Sequence, residues 1–130
     1  MLRLESDLVE LCLKACEGKL DEVKSQWNPK ASLGIVLAAE GYPGDYRKGD
    51  VISGLPQSAV ENEKVFLAGV AEKEGKLVTN GGRVLCVTAL GESVFEAQQK
   101  ALKLAEQIQW TGRFYRLDIG YRAVEREQQK

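Results

Sequence analysis

The sequence predicts an α+β fold in which a small antiparallel β-sheet or half-barrel is packed by a C-terminal helix. Four observations support this prediction. Short apolar segments separated by glycine turns fill residues 31–90, and a helix signal begins at Ser93. A further helix precedes the sheet, and the chain length of 130 residues suffices for one core.

The first element is a helix predicted over residues 6–17, with Ser6 as its N-cap and Gly18 as its stop. Its apolar residues are Leu8, Val9, Leu11, Cys12, Leu13, Ala15 and Cys16. These positions cover more than one stripe of the helix, so the helix is expected to contact protein on several sides. Part of this face is therefore predicted to pack against protein outside the domain. Residues 18–30 form a polar connector.

The next region, residues 31–90, contains the predicted strands. The continuous apolar run 32–39 is typical of a strand covered on both faces. The run 64–70 is a second, and a turn is predicted after it at 72–75. Segments 76–79 and 83–90 flank Asn80-Gly81-Gly82. Because glycine and asparagine tolerate positive φ, we interpret this unit as a tight hairpin.

The last helix is predicted from a capping box, with Ser93 at the N-cap and Glu96 three residues later. One apolar stripe follows, formed by Ala97, Ala101, Leu104 and Ile108. This stripe is narrow enough to lie on the sheet. Beyond Gly112 the tail is predicted to add a short strand or turn before fraying at 128–130.

Composition excludes several classes of function. The chain has 18 Lys and Arg against 19 Asp and Glu, which gives no basic footprint for nucleic acid or an acidic membrane. It has no histidine, so neither a serine–histidine nucleophile system nor a histidine-ligated zinc site can be built. No secretory signal or membrane-length apolar run is visible. Three unpatterned cysteines favour a reducing compartment, and the predicted location is cytoplasmic.

The cysteines admit two interpretations. Cys12 and Cys16 share a face of the first helix and would supply half of a thiolate metal site. The alternative, that they are small buried apolar residues, is favoured because no second ligand pair exists. Cys86 lies in an apolar strand and is interpreted in the same way. No metal site is therefore predicted.

A candidate anion site surrounds the predicted hairpin. Lys76 and Arg83 place one cation on each arm, and Gly81 and Gly82 leave backbone N–H groups unobstructed. A guanidinium, an ammonium and exposed amides together form a good receptor for a phosphate monoester. The alternative is a surface hairpin whose cations are only solvated. Local sequence leaves both interpretations open.

A second candidate is the loop Gly41–Tyr46, which follows directly on a predicted strand. Pro43-Gly44 matches the centre of a type II turn, and a purely structural turn explains both residues. A substrate-facing loop would use Tyr42 to stack or donate and Asp45 to accept. Local sequence again leaves both interpretations open.

Four segments occur in an order and at spacings that resemble one family. They are Ser6–Leu11, Gly41–Tyr46, Lys76–Gly91 and Tyr115–Gly120. The resemblance is to the C-terminal part of bacterial phosphoribosylamine–glycine ligases, also called glycinamide ribonucleotide synthetases, of the ATP-grasp family. It extends from Met1 to about Glu127.

The resemblance implies a carbon–nitrogen ligase of purine biosynthesis that joins glycine to phosphoribosylamine. It implies that residues 1–30, with the first helix, end an upstream ATP-grasp domain, and that 31–130 form a C-terminal β-rich domain. ATP and Mg²⁺ (or Mn²⁺) would bind upstream of Met1. This chain would then be a fragment that holds no catalytic residue, binds no cofactor and is inactive alone.

The resemblance also implies a role for two cations. In related ATP-grasp enzymes of purine synthesis a Lys and an Arg seven residues apart hold the ribose 5-phosphate, and Lys76 and Arg83 have that spacing. The implied partners are the upstream domain and a small-molecule substrate, without nucleic acid or membrane. The rival from another class is a non-catalytic β-rich packing or oligomerisation module.

Overall fold

A computed structural model describes residues 1–58 and 60–129. The architecture is the predicted α+β arrangement of antiparallel sheets and helices. In chain order the elements are α1 (Leu8–Cys16), a short 3-10 helix (Leu20–Glu22), β1 (Ala31–Ala38), β2 (Glu63–Leu67), β3 (Val70–Lys73), β4 (Lys76–Thr79), β5 (Arg83–Gly91), α2 (Val94–Gln107) and α3 (Tyr121–Gln128).

The core lies between α2 and one face of a three-stranded antiparallel sheet. The strand order is β1-β5-β2, so β5 is central, and Val87 pairs with Ile35 on one side and Val65 on the other. Ile35 and Val87 are fully buried. The predicted helix stripe is confirmed, since its four members are buried: Ala97, Ala101, Leu104 and Ile108. Burying this stripe removes apolar surface from water, which is the main favourable term in folding.

The remaining strands form a long, bent two-stranded ribbon. β3 and β4 pair as a hairpin, and β2 and β5 continue the same two strands into the larger sheet. The turn is Glu74-Gly75, where both residues take positive φ (52° and 71°), as a two-residue I′ turn requires. The prediction that Asn80-Gly81-Gly82 turns a hairpin between 76–79 and 83–90 is therefore wrong.

Asn80–Gly82 is instead a kink in one strand of the ribbon. Between the pairs Leu67↔Leu85 and Val70↔Thr79 one strand advances three residues and the other six. The extra residues bend the strand as a bulge does. A Cβ on Gly81 would lie 2.8 Å from the Cα of Gly69. The glycine is thus required by close backbone approach rather than by a positive φ.

The expectation that the strand at 32–39 is covered on both faces is also wrong. Along β1 burial alternates, because α2 covers only one face of the sheet. Leu33 and Ile35 point into the core, whereas Val36 is 44% exposed. Apolar and small residues at outward positions hid this alternation in the sequence. The three-stranded sheet consequently has a covered face, towards α2, and an open face.

The N-terminal helix forms where it was predicted, with a different cap. The side chain of Asp7, not of Ser6, accepts from the N–H of Val9 at 2.7 Å. The Ser6 hydroxyl accepts from the N–H of Gln26 and so ties the helix start to the connector. Within the described chain α1 has no buried residue, and Leu8 is among those exposed.

The cysteines differ from the favoured interpretation. Cys12 and Cys16 are exposed and Cys86 is partly buried. The burial prediction fails for the first two because their helix face has no cover within residues 1–58 and 60–129. Across the same residues no group of three or more Cys, Asp or Glu side chains is placed to hold a metal ion.

The tail forms the predicted strand contact, a bridge between Phe114 and Ala38, and a turn over 117–120, and it then continues into helix α3, which was not predicted. Its Glu127 carboxylate accepts from the N–H groups of Val94 and Phe95 at 2.8 and 3.3 Å. It thereby satisfies unpaired donors at the start of α2, beside the Ser93 cap, which is confirmed. Of the segment predicted to fray, Lys130 lies outside the described residues. None of the described helices combines the length and apolar character of a membrane span.

Candidate functional site

A cleft opens on the open face of the three-stranded sheet, where the sheet meets the loop after β1. Its volume is about 550 Å³, within the usual range of small-molecule sites. Its lining residues are Val36, Tyr42, Tyr46, Phe66, Leu67, Ala68, Gly82, Arg83, Leu85 and Cys86. We call it the tyrosine cleft. Its walls are mainly apolar and aromatic, and Arg83 is its cation.

The first wall comes from the loop Gly41–Tyr46, which folds tightly on itself. Gly41 takes φ 89°, and a Cβ there would lie 2.0 Å from the carbonyl oxygen of Asp45. The Tyr42–Pro43 peptide bond is cis, and positive φ falls on Gly41 rather than Gly44. The type II turn predicted from Pro43-Gly44 is therefore wrong, although the loop is a compact turn.

This loop packs directly against the kink in the ribbon. A Cβ on Gly82 would lie 2.3 Å from Cδ2 of Tyr42 and 3.2 Å from Cδ1 of Tyr46. The N–H of Ala39 donates to the carbonyl of Gly82 at 2.8 Å, which fixes the start of the loop on the kink. Glycine at 82 thus lets two tyrosine rings reach the backbone. The two motifs singled out from the sequence meet here.

The segment after the loop is anchored to β4. The N–H of Gly49 donates to the carbonyl of Thr79 at 2.7 Å, and the N–H of Thr79 donates to the carbonyl of Asp50 at 2.9 Å. Arg47 forms an ion pair with Asp50 at 2.8 Å, and the Asp50 side chain is only 9% exposed. These contacts hold Lys48, which lies between them in sequence, on a fixed backbone.

The structure brings together some of the predicted site residues. Tyr42, Gly82 and Arg83 line the tyrosine cleft, while Asp45 lies in the exposed part of the loop. Lys76 lies at the other end of β4, paired with Lys73 beside the hairpin turn. At about 3.3 Å per strand residue, it lies about 10 Å along the backbone from the end of β4.

Sequence reasoning missed several residues of the cleft. Tyr46 belongs to the same loop motif as Tyr42, and an aromatic pair four residues apart was a usable signal. Phe66 comes from β2, where outward-facing positions were indistinguishable from core positions in an apolar run. Lys48 lies beside the cleft: its Nζ is 5.5 Å from the centroid of the Tyr46 ring.

The groups with shifted pKa values lie on α2 and in the tail, outside the cleft lining. A hydrogen bond from Lys100 lowers the pKa of Glu96, and the same bond raises the pKa of Lys100. A hydrogen bond from Arg116 lowers the pKa of Asp118. All are exposed surface pairs whose shifts reflect ion pairing. The tyrosine cleft offers the guanidinium of Arg83 for binding an anion.

A second cavity, of about 410 Å³, lies between the edge of β2 and α2. Its lining is mainly aliphatic, including Leu55, Val65, Leu77 and Leu104. It is less suited to a phosphorylated substrate than the tyrosine cleft, because the tyrosine cleft has the guanidinium of Arg83 beside a glycine kink.

Comparison with known proteins agrees with this description. Residues 32–122 match the family described as phosphoribosylglycinamide synthetase, C domain. The chain is 89% identical over 130 residues to a phosphoribosylamine–glycine ligase of Haemophilus influenzae, covering 100% of this chain and 30% of that protein. It is 79% identical over 127 residues to that of Pasteurella multocida, covering 98% of this chain and 29% of that protein.

A solved structure has the same fold. The crystal structure of phosphoribosylamine–glycine ligase from Thermotoga maritima matches with a TM-score of 0.68 and 42% sequence identity, covering 85% of this chain and 27% of that one. The fold is that of a small α+β domain. The relatives that contain this domain are larger enzymes. The chain belongs to the phosphoribosylglycinamide synthetase C-domain family, as the resemblance implied, and spans about 30% of the length of the curated relatives described above.

Proposed function

We propose that this chain serves as the C-terminal segment of a phosphoribosylamine–glycine ligase and contributes binding of the substrate ribose 5-phosphate. The observation that carries the proposal is 89% identity, over all 130 residues, to an enzyme of that name. In that reaction glycine and phosphoribosylamine are joined through a new carbon–nitrogen bond in purine biosynthesis.

Arg83 is the residue to which we assign the phosphate. It lies where β5 leaves the glycine kink, at the edge of a cleft of suitable size. Its planar fork can engage two phosphate oxygens, and the N–H groups of Gly81 and Gly82 are candidate donors. The resemblance also pointed to Lys76 as a second cation, but Lys76 lies beside the hairpin turn, at the far end of β4 from the kink. Holding the phosphate orients the attacking amine, which accelerates the reaction by proximity.

The tyrosine loop supplies a wall for the same substrate. Tyr42 contacts the kink next to Arg83. We therefore assign its ring and hydroxyl to the ribose whose phosphate binds there. Asp45, at the exposed end of the loop, is a candidate acceptor for a ribose hydroxyl. Both assignments follow from the packing of the loop on Gly82.

ATP and a divalent metal are assigned to the rest of the enzyme. When bound, ATP supplies the phosphoryl group that activates the glycine carboxylate. The described residues hold no acidic cluster suited to a divalent metal, so they do not fit a metal site. We propose the cytoplasm as the compartment.

We further propose that residues 1–30 belong structurally to an upstream ATP-grasp domain. The contacts of residues 1–30 support this division. The segment before α1 bonds to the connector, through the Leu4↔Trp27 bridge and the bond from Asn28 N–H to the Arg3 carbonyl. Leu13, at 58% exposure, belongs to an apolar face that the C-terminal domain does not cover. An upstream domain would cover it.

Kinetics of an Arg83→Ala variant in the full-length enzyme test the phosphate role. Hydrogen bonds to a charged group contribute about 1.5–3 kcal/mol each. We therefore expect kcat/KM for phosphoribosylamine to fall about ten- to a hundredfold. Arg83→Lys is expected to restore only part of the loss, because the planar fork is absent.

The KM for ATP serves as the internal control, and we expect it to stay unchanged. A packing or oligomerisation module, the rival function, predicts another pattern: a modest loss of stability with unchanged kcat/KM for phosphoribosylamine. Equal kcat/KM in wild type and Arg83→Ala would reject the phosphate assignment.

A further inference from the structure

We propose that Lys48, rather than Lys76, is the second cation that binds the phosphate of the ribosyl substrate beside Arg83. This inference rests on the proposed phosphate role of Arg83 and adds a binding residue to the same site. A phosphate monoester carries a charge of about −1.5 to −2 near neutral pH, so a single guanidinium leaves part of that charge uncompensated.

The first support is position. Tyr46 forms part of the wall of the tyrosine cleft, with Cδ1 3.2 Å from the point where a Cβ of Gly82 would lie. The ammonium of Lys48 lies 5.5 Å from the centroid of the same ring. The Tyr46 ring therefore lies between the ammonium of Lys48 and Gly82, the residue that precedes Arg83. The proposal places the anion at the edge of this ring, between Lys48 and Arg83.

The second support is the state of the neighbouring charges. Arg47 is neutralised by the nearly buried Asp50 at 2.8 Å. Lys48 forms no ion pair within residues 1–58 and 60–129, and its side chain is held over Tyr46 by a cation–π contact. Such a contact is weak at an exposed site, so the ammonium can turn towards a stronger anionic partner.

The third support is rigidity of the backbone that carries Lys48. The next residue, Gly49, donates to Thr79 at 2.7 Å, and the N–H of Asp50 donates to the Thr79 hydroxyl at 3.1 Å. Thr79 is 1% exposed and immediately precedes the kink. These bonds tie the backbone next to Lys48 to a buried anchor directly before the kink. Arg83 follows the kink at the start of β5.

Lys76 has neither the position beside the cleft nor the backbone anchoring of Lys48. It pairs with Lys73 at the tip of the ribbon, where like charges face each other across the strands. The turn at Glu74-Gly75 lies between them, and the kink lies beyond the other end of β4. Its seven-residue separation from Arg83 follows a bent strand, not the two arms of one hairpin.

The test compares single variants of the full-length enzyme: Lys48→Ala, Lys76→Ala and Arg83→Ala. The matched control is Lys103→Ala, another exposed lysine, which lies on α2. We expect Lys48→Ala to lower kcat/KM for phosphoribosylamine about tenfold, the lower end for a charge-assisted bond. We expect Lys48→Arg to recover most of it, and Lys103→Ala and Lys76→Ala to stay within twofold of wild type. The KM for ATP stays unchanged throughout.

Thermal unfolding of each variant separates binding from folding. Because Lys48 is exposed, we expect Lys48→Ala to unfold within a few degrees of wild type. If Lys48→Ala matches Lys103→Ala while Arg83→Ala is impaired, the Lys48 inference is overturned and the role of Arg83 stands. A larger loss in Lys76→Ala than in Lys48→Ala also overturns it. If Lys48→Ala and Arg83→Ala both match the control, the phosphate site itself is rejected.

Discussion

The two faces of the three-stranded sheet are built from the same strands but serve different ends. The covered face carries Ile35 and Val87, both fully buried against α2. The open face carries Val36 and Cys86, which line the tyrosine cleft. Because successive strand residues point to opposite faces, one strand supplies core and site alternately. Neighbouring positions of β1 and β5 are therefore constrained differently: residues on the covered face fill the core, and residues on the open face line the cleft.

The largest expected difference between the faces is in stability. Ile35→Ala removes a buried side chain and leaves a cavity, so we expect the free energy of unfolding to fall by about 2–5 kcal/mol. Val36→Ala, one residue away and 44% exposed, is the matched control. We expect it to cost less than about 1 kcal/mol. Urea unfolding measures both, and equal losses would contradict the division into covered and open faces.

A smaller effect is expected at the contact between loop and kink. A Cβ on Gly82 would lie 2.3 Å from the Tyr42 ring, so Gly82→Ala is expected to cost about 1–3 kcal/mol through overpacking. The contact is tested by repeating the substitution in a Tyr42→Ala background. We expect the cost to shrink there, since the obstructing ring is gone. Additive losses in unfolding experiments would show that Tyr42 does not rest on Gly82.

The smallest effect concerns how the covered face is closed. Glu127 on α3 accepts from the first N–H groups of α2, at 2.8 Å from Val94. We expect Glu127→Ala to lower stability by about 1 kcal/mol, as loss of a helix cap does. Glu125→Ala, on the exposed side of the same helix, is the control and is expected to be neutral. Indistinguishable melting temperatures for the two variants would remove this role from Glu127.

Periodicity predicted the helices and strands whose pattern is local. The α2 stripe follows from spacing alone, because Ala97, Ala101 and Leu104 recur on one face, and the Ser93 cap follows from side-chain chemistry. The pairing of strands was not predictable in this way. Asn80-Gly81-Gly82 satisfies a turn, yet Glu74-Gly75 makes it, because the register of the longer ribbon decides.

The candidate site was predicted only in part, because local motifs do not show which segments the fold brings together. Arg83, Gly82 and Tyr42 were each singled out as local motifs, but only the fold brings the tyrosine loop onto the kink. Lys48 carried no signal, since a lysine in a polar loop is usually solvated. The separation of Lys76 from the cleft follows from the pairing of β3 with β4 around Glu74-Gly75, and this pairing is not revealed by spacing.

The central claim is that the open face, at the kink, binds the phosphate of the substrate. A titration of the isotope-labelled chain with ribose 5-phosphate, followed by amide chemical shifts, tests it most directly. The account predicts saturable shifts at Gly81, Gly82 and Arg83, with the α2 face unchanged and with loss of the shifts in Arg83→Ala. Shifts centred on the ribbon tip at Lys73–Lys76, or no saturable shift at the kink, would contradict it.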